Sequence, residues 1–188
     1  MLRAACLSVV VGCGAPPASW SVPPGWRGEL IAFPLDFAPS LPQRGVEEIR
    51  FAPGFFDPAA PGYWSYAFVW RLDTEPAFDA TSVAAQLTIY FRGLIDAVDD
   101  KHEIASADRD SIAVRAVPVG PRLDLAAHIV DAFASKQPLE LTGSVTRLAC
   151  ARGAVWVFVL APARSRVRAE LDQLAARVTC EQRPRPNR

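Results

Sequence analysis

Apolar residues recur along this chain at two periods, and the change from one to the other marks out strands and helices. Tyr66, Phe68, Trp70 and Leu72 alternate with their neighbours, the period of two that turns one face of an extended strand into a core. Residues 26–33 and 46–51 carry further strand signals ahead of it. From Thr81 to Val98 the period lengthens: Val83, Leu87, Tyr90, Phe91, Leu94 and Val98 lie three or four apart, with Asp79 or Thr81 placed to cap a helix. Four strand-like segments follow at 111–119, 123–131, 138–148 and 154–160. Gly120-Pro121, Lys136-Gln137-Pro138 and Ala151-Arg152-Gly153 separate them, turns short enough for an antiparallel meander. Val167, Leu171, Leu174 and Val178 then return to helical spacing.

One segment fits both periods. In RLDLAAHIVDAF, Leu123, Leu125, Ala127 and Ile129 alternate as in a strand, yet Ala126, Ile129, Val130 and Phe133 suit a helix; the hairpin-length spacing on both sides selects the strand. The predicted order is then βββ-α-ββββ-α, with no regular strand–helix alternation. This predicts an α+β domain over residues 25–181: a mostly antiparallel sheet of about seven strands with two amphipathic helices packed on one face. Residues 182–188 have no apolar anchor and are expected to form a tail.

Composition narrows the function classes. Basic and acidic residues balance at 20 each, which removes the positive field that non-specific nucleic-acid binding requires. Half of the 188 residues are hydrophobic, enough for a real core in a single domain. No stretch reaches the roughly 18 apolar residues of a membrane-spanning helix. A phosphate-cradling glycine loop, a Cys/His metal spacing and a dinucleotide fingerprint are all absent from the sequence, so no cofactor or metal is expected.

The first residues carry the strongest functional signal. Arg3 supplies a positive start, Ala4 to Val11 an apolar run, and Val10-Val11-Gly12-Cys13 resembles the lipobox of bacterial lipoproteins, in which a small residue precedes the cysteine that is acylated. The resemblance covers residues 1–13 alone. It implies a signal peptide at 1–12, lipidation at Cys13, a membrane partner through that lipid and a place in the bacterial cell envelope. Gly14-Ala15-Pro16-Pro17-Ala18-Ser19 has no apolar period, so residues 13–24 are expected to act as a linker. In the competing reading, Leu7 to Val11 is a buried strand of a cytoplasmic α+β domain.

Export changes what the other cysteines mean. With Cys6 removed and Cys13 acylated, Cys150 and Cys180 remain as an even pair, which an oxidising compartment would join into a disulfide pinning the last helix to the sheet. In a reducing compartment they are two separate thiols.

Three groups of residues are candidates for chemistry or binding. The loop FAPGFFDPAAPGYW, residues 51–64, sets Phe55, Phe56, Tyr63 and Trp64 among prolines and glycines, so these rings cannot all follow one strand face inward. Exposed, they would offer a surface to a small apolar or sugar ligand or to an envelope protein; folded back, they would close one end of the core. His128 with Asp124 or Asp131 supplies a possible general base for an exported hydrolase, although no nucleophile motif accompanies it. Asp96, Asp99, Asp100, His102 and Glu103 cluster where the first helix ends, without the order of a calcium loop, and read as a solvated helix end. Glu47, Glu48 and Arg50 read as exposed charges on a strand. The leading expectation is therefore a lipid-anchored, non-enzymatic binding module.

Overall fold

A computed structural model describes residues 20–99, 101–151 and 153–180. Cys13, the leader and the C-terminal tail lie outside the described residues. The chain forms a seven-stranded, wholly antiparallel sheet with three helices, an α+β fold in which strand dominates. Along the chain come β1 (Arg27–Ala32), β2 (Gly45–Phe51), β3 (Tyr66–Leu72), α1 (Ala80–Val98), α2 (Ser106–Ser111), β4 (Ala113–Val119), β5 (Arg122–Val130), β6 (Pro138–Leu148), β7 (Ala154–Pro162) and α3 (Arg168–Ala175). Across the sheet the order is β1-β2-β3-β7-β6-β5-β4, so β3 and β7 meet at the centre and close two meanders on each other. The segment that fits both periods is a strand, β5, paired on both sides. The short α2 has no counterpart in the sequence reading, because six polar-rich residues carry no apolar period.

Three expectations need correction. The two main helices lie on opposite faces of the sheet rather than one. Val83, Leu87, Tyr90, Phe91 and Ile95 of α1 join Tyr66, Phe68, Trp70, Trp156 and Phe158 in one core, whereas Leu171 and Leu174 of α3 join Ala67, Val69, Val155, Val157 and Val159 in the other. Periodicity gives a helix an apolar face but not the side of the sheet it covers. For the same reason β3 is buried along its whole length instead of on alternate residues. The third correction concerns the linker. Trp20 is fully buried in the second core, so the domain begins five residues earlier than the 25 expected.

The start of α1 is built from local polar chemistry. Asp79 caps α1 by accepting from Ser82 N at 2.7 Å, while the Ser82 hydroxyl accepts from Asp79 N at 2.8 Å, which satisfies two end donors reciprocally. Gly93 lets the 35–44 loop lie against α1, because a β-carbon there would sit 2.0 Å from the Phe37 carbonyl oxygen. At the far edge of the sheet, α1 also protects β4: Val114 N donates to Thr88 Oγ1, and Pro118 has no N–H to offer a further strand.

Cys150 and Cys180 form a disulfide with their α-carbons 5.5 Å apart. It ties the chain after α3 to the end of β6, beside the second core, as the spacing of the elements predicts.

Candidate functional site

The aromatic loop folds back, and a single carboxylate organises it. Asp131 follows β5 and is fully buried. Its Oδ2 accepts from the Tyr63 hydroxyl at 2.5 Å and Ser135 N at 2.6 Å, and its Oδ1 from Trp64 Nε1 at 2.9 Å, Phe133 N at 3.0 Å and Ala134 N at 3.1 Å. Burial pushes the Asp131 carboxyl up, but the Tyr63 hydroxyl, the Ser135 N–H, the Trp64 indole and the Ala134 N–H outweigh it and hold it down at about 2. Tyr63, buried against Asp131, is in turn pushed up to about 12. The pair is thus a fixed phenol donor and a fixed carboxylate, both spent on structure.

Of the four ring candidates, Phe55 and Trp64 belong to the core at 3% and 1% exposure. These two rings take the folded-back alternative and close one end of the core instead of forming a binding surface. Phe56 remains 40% exposed beside Phe133 at 5.1 Å between ring centres, with Arg27 over its face, and Tyr63 is half-buried. The prolines and glycines do break the strand, as expected, but the break turns the rings inward because Asp131 receives their polar ends.

The charges of β2 are a larger correction. Glu47, Glu48 and Arg50 are all buried, not exposed, since β2 is an inner strand with β1 on one side and β3 on the other. Successive side chains point to opposite faces, so two separate polar networks arise. On the α3 face, Glu48 accepts from Arg71 Nε at 2.6 Å, Arg50 Nη2 at 3.2 Å and Trp20 N at 3.1 Å. Arg50 also donates to the Trp20 carbonyl and lies over its ring, and Trp20 Nε1 donates to the Leu174 carbonyl at 3.1 Å. Arg71 Nη1 reaches the Thr179 carbonyl at 2.8 Å. One buried carboxylate thereby joins residue 20 to residue 179.

On the α1 face, Glu47 Oε1 accepts from Trp70 Nε1 at 2.9 Å and the Tyr90 hydroxyl lies near the carboxyl, while Oε2 is buried without a hydrogen-bond partner. Burial pushes the Glu47 carboxyl up to about 7, against the pull of Trp70 and Tyr90 and with help from the charge of Glu29. A carboxyl raised from 4.5 to about 7 penalises the folded state only once it must ionise. The penalty is absent below pH 4.5, grows as the pH rises to 7 and reaches about 3 kcal/mol above it. Glu47→Gln is therefore expected to leave stability unchanged near pH 4.5 and to add about 3 kcal/mol at pH 8, read from urea unfolding at both pH values. Equal stability of variant and wild type at pH 8 would refute the burial argument.

The hydrolase candidates do not converge. His128 Nδ1 pairs with Glu140 across the β5–β6 ladder, Asp124 pairs with Arg122 at 2.8 Å, and Asp131 is committed to the aromatic loop. His128 and Asp124 stand four residues apart on one strand, roughly 13 Å. No described serine, threonine or cysteine bonds to His128. Within the acidic cluster Asp96, His102 and Glu103 are exposed, as a solvated helix end requires, but Asp99 is buried, accepts from Glu103 N and Ile104 N at 3.0 and 3.1 Å, and pairs with Arg109, which holds Asp96 at 2.6 Å as well. Asp100 lies outside the described residues. Among the described residues no group of three or more His, Cys, Asp or Glu side chains is placed to hold a metal ion.

A groove that the sequence reading missed runs along the α3 face of the sheet. There α3 covers β7 and β3 and leaves β4, β5 and β6 open. Two contiguous hollows of about 370 Å³ each share Arg122, Ser144 and Asp172. The β6 hydroxyls of Thr142, Ser144 and Thr146 form the floor with Val157 and Val159, between α3 and the Arg122–Asp124 pair. The signal was present in the sequence: Thr142, Ser144 and Thr146 alternate with Leu141 and Val145, a polar column opposite a buried one. Its meaning depends on α3 stopping short of it. No protein-family model, curated protein or solved structure matches this chain.

Proposed function

We propose that the chain is an exported, lipid-anchored protein of the bacterial envelope whose α+β domain is a non-enzymatic binding or interaction module. The observation that carries the reading is Val10-Val11-Gly12-Cys13 after an apolar run and Arg3. Three features of the domain support it. The remaining cysteines are joined in a disulfide, as suits an oxidising compartment. Trp20, seven residues after Cys13 in the sequence, is already buried in the domain, so a lipid at that cysteine would be joined to the fold by a short stretch of chain. The groove beside α3 offers hydroxyls, aliphatic side chains and charges of both signs to a partner, whereas the buried carboxylates are spent on packing and capping.

Expression in a bacterial host followed by mass analysis of the N-terminal peptide tests the anchor. The expected product is a diacylglyceryl-modified peptide beginning at Cys13, absent from the Cys13→Ala variant. An unmodified chain beginning at Met1 would overturn the reading and return Leu7 to Val11 to a cytoplasmic protein.

A further inference from the structure

We infer that β1, the open edge of the sheet, pairs antiparallel about Gly28 with β1 of a second copy of this chain, setting Arg27 of each copy opposite Glu29 of the other. The inference concerns self-association of the domain and is independent of anchoring at Cys13.

Its first support is the contrast between the two edges of the sheet, β1 and β4. Successive residues of an edge strand point their N–H and C=O groups alternately at the neighbouring strand and outward. On β4, Val114, Ala116 and Pro118 point outward, since Val114 N reaches Thr88 Oγ1 of α1 at 3.2 Å. Val114 N is thereby taken and Pro118 has no N–H, so of these three only Ala116 keeps an outward donor, although Val117 and Val119 are exposed beside it. On β1 the alternation is fixed by Phe33 N, which donates to the Gly45 carbonyl of β2 at 3.0 Å. Ile31, Glu29 and Arg27 therefore point at β2, and Gly28, Leu30 and Ala32 point outward. No proline interrupts these three, and among the described residues no acceptor meets their N–H groups. One edge is blunted and the other is open to a further strand.

The second support is what β1 presents to its own copy. In an antiparallel pair related by a two-fold axis, the residue before the axis on one strand faces the residue after it on the other. About Gly28 this sets Arg27 against Glu29 twice, at the positions without ladder hydrogen bonds, where opposite side chains approach most closely. Within one copy the same two groups already pair along the strand, so the four charges form one alternating cluster. Charge also selects the register: pairing about Glu29 would set Glu29 against itself, and pairing about Leu30 would set it against Ile31. In the Gly28 register each Gly28 N–H meets the other copy's Gly28 carbonyl, and each Leu30 N–H the other copy's Trp26 carbonyl. Exposed apolar side chains flank the same point on both faces of the sheet. A β-carbon at Gly28 would lie 2.6 Å from Val22 Cγ2, and on the opposite face Arg27 lies over the Phe56 ring; Val22 and Phe56 are 41% and 40% exposed. Pairing there removes apolar surface from water as it satisfies the edge.

The test uses the full chain carrying Cys13→Ala, so that no acyl chain drives association. Its mass is followed by sedimentation equilibrium from about 1 to 500 µM, the range in which a short interface associates reversibly. The expected result is a rise from the 20.4 kDa of one chain to twice that mass. Arg27→Glu and Glu29→Arg, each alone, set like charges opposite each other and are expected to weaken the dimer about tenfold. The two substitutions together restore opposite charges and are expected to return its affinity to within about threefold of the parent chain. Circular dichroism of all three variants is expected to stay unchanged. A chain that remains monomeric throughout overturns the inference, and so does a dimer indifferent to the single substitutions or not restored by the pair. Amide exchange gives a second reading: protection of Gly28 and Leu30 is expected to grow with protein concentration. Protection already complete at the lowest concentration would overturn the pairing, by revealing that another segment of the same chain covers this edge.

Discussion

Glu48→Ala is expected to destabilise the domain by about 3–5 kcal/mol, since removing one partner of a buried ion pair strands the other charge. Here two guanidinium groups lose their carboxylate at once, because Arg50 and Arg71 are both buried against Glu48. Trp20 N loses its acceptor as well, which loosens Trp20 in the second core. Burial, together with the like charge of Arg71, already holds the Arg50 pKa below its usual value despite the attraction of Glu48. A control separates this from ordinary surface charge: Glu75→Ala breaks the exposed pair with Arg147 and is expected to cost less than about 1 kcal/mol. Denaturant unfolding of both variants checks the contrast. Replacing Glu48, Arg50 and Arg71 together by aliphatic residues of similar volume is expected to recover most of the loss, because no unpaired charge then remains inside. A Glu48→Ala variant within 1 kcal/mol of wild type would mean that water reaches the two arginines.

The second large effect is expected at Asp131. Asp131→Ala leaves the Trp64 indole, the Tyr63 hydroxyl and three backbone N–H groups without their acceptor, at a cost of about 3–5 kcal/mol. Its pH dependence runs opposite to that of Glu47. The carboxyl is lowered from 3.8 to about 2, so its contribution is complete above pH 3.8 and disappears as the pH falls through 2. The size of that contribution is about 2 kcal/mol. Acid unfolding of wild type should show this loss between pH 4 and 2, and Asp131→Asn should lack it. Tryptophan emission offers an independent readout, since Trp64 is the ring released when the corner opens. If the acid limbs of wild type and Asp131→Asn superimpose, the carboxylate is not the hub of the loop.

These two residues also mark where local reading ends. Asp131 was a candidate carboxylate partner for His128 because it lies three positions away in the sequence. Across the β5–β6 ladder His128 instead meets Glu140, and Asp131 meets a loop nearly seventy residues earlier in the chain. Glu48 sits in a strand whose alternating charges look like a solvated face. Its burial required β1, β3, Trp20 and α3 to assemble around it, and none of these contacts is local. The aromatic loop was legible as irregular backbone, yet whether its rings faced out or in depended on a distant carboxylate. Phe56 alone kept a substantial exposed face.

The sequence by itself determined the order of the seven strands and two main helices, the antiparallel meanders and a cap for α1 at Asp79 or Thr81, and it offered Cys150 and Cys180 as a pair if the chain is exported. The elements and the cap follow from short-range causes: the period of apolar residues, turn chemistry and a polar side chain within one helical turn. Only the tertiary structure decided that α1 and α3 lie on opposite faces, that β3 and β7 form a doubly buried centre, and that β4 to β6 keep an open face with a groove. A helix's apolar stripe fits either side of a sheet equally well. The side it takes, and so the charges it buries and the groove it leaves, is chosen by the packing of residues far apart in the chain.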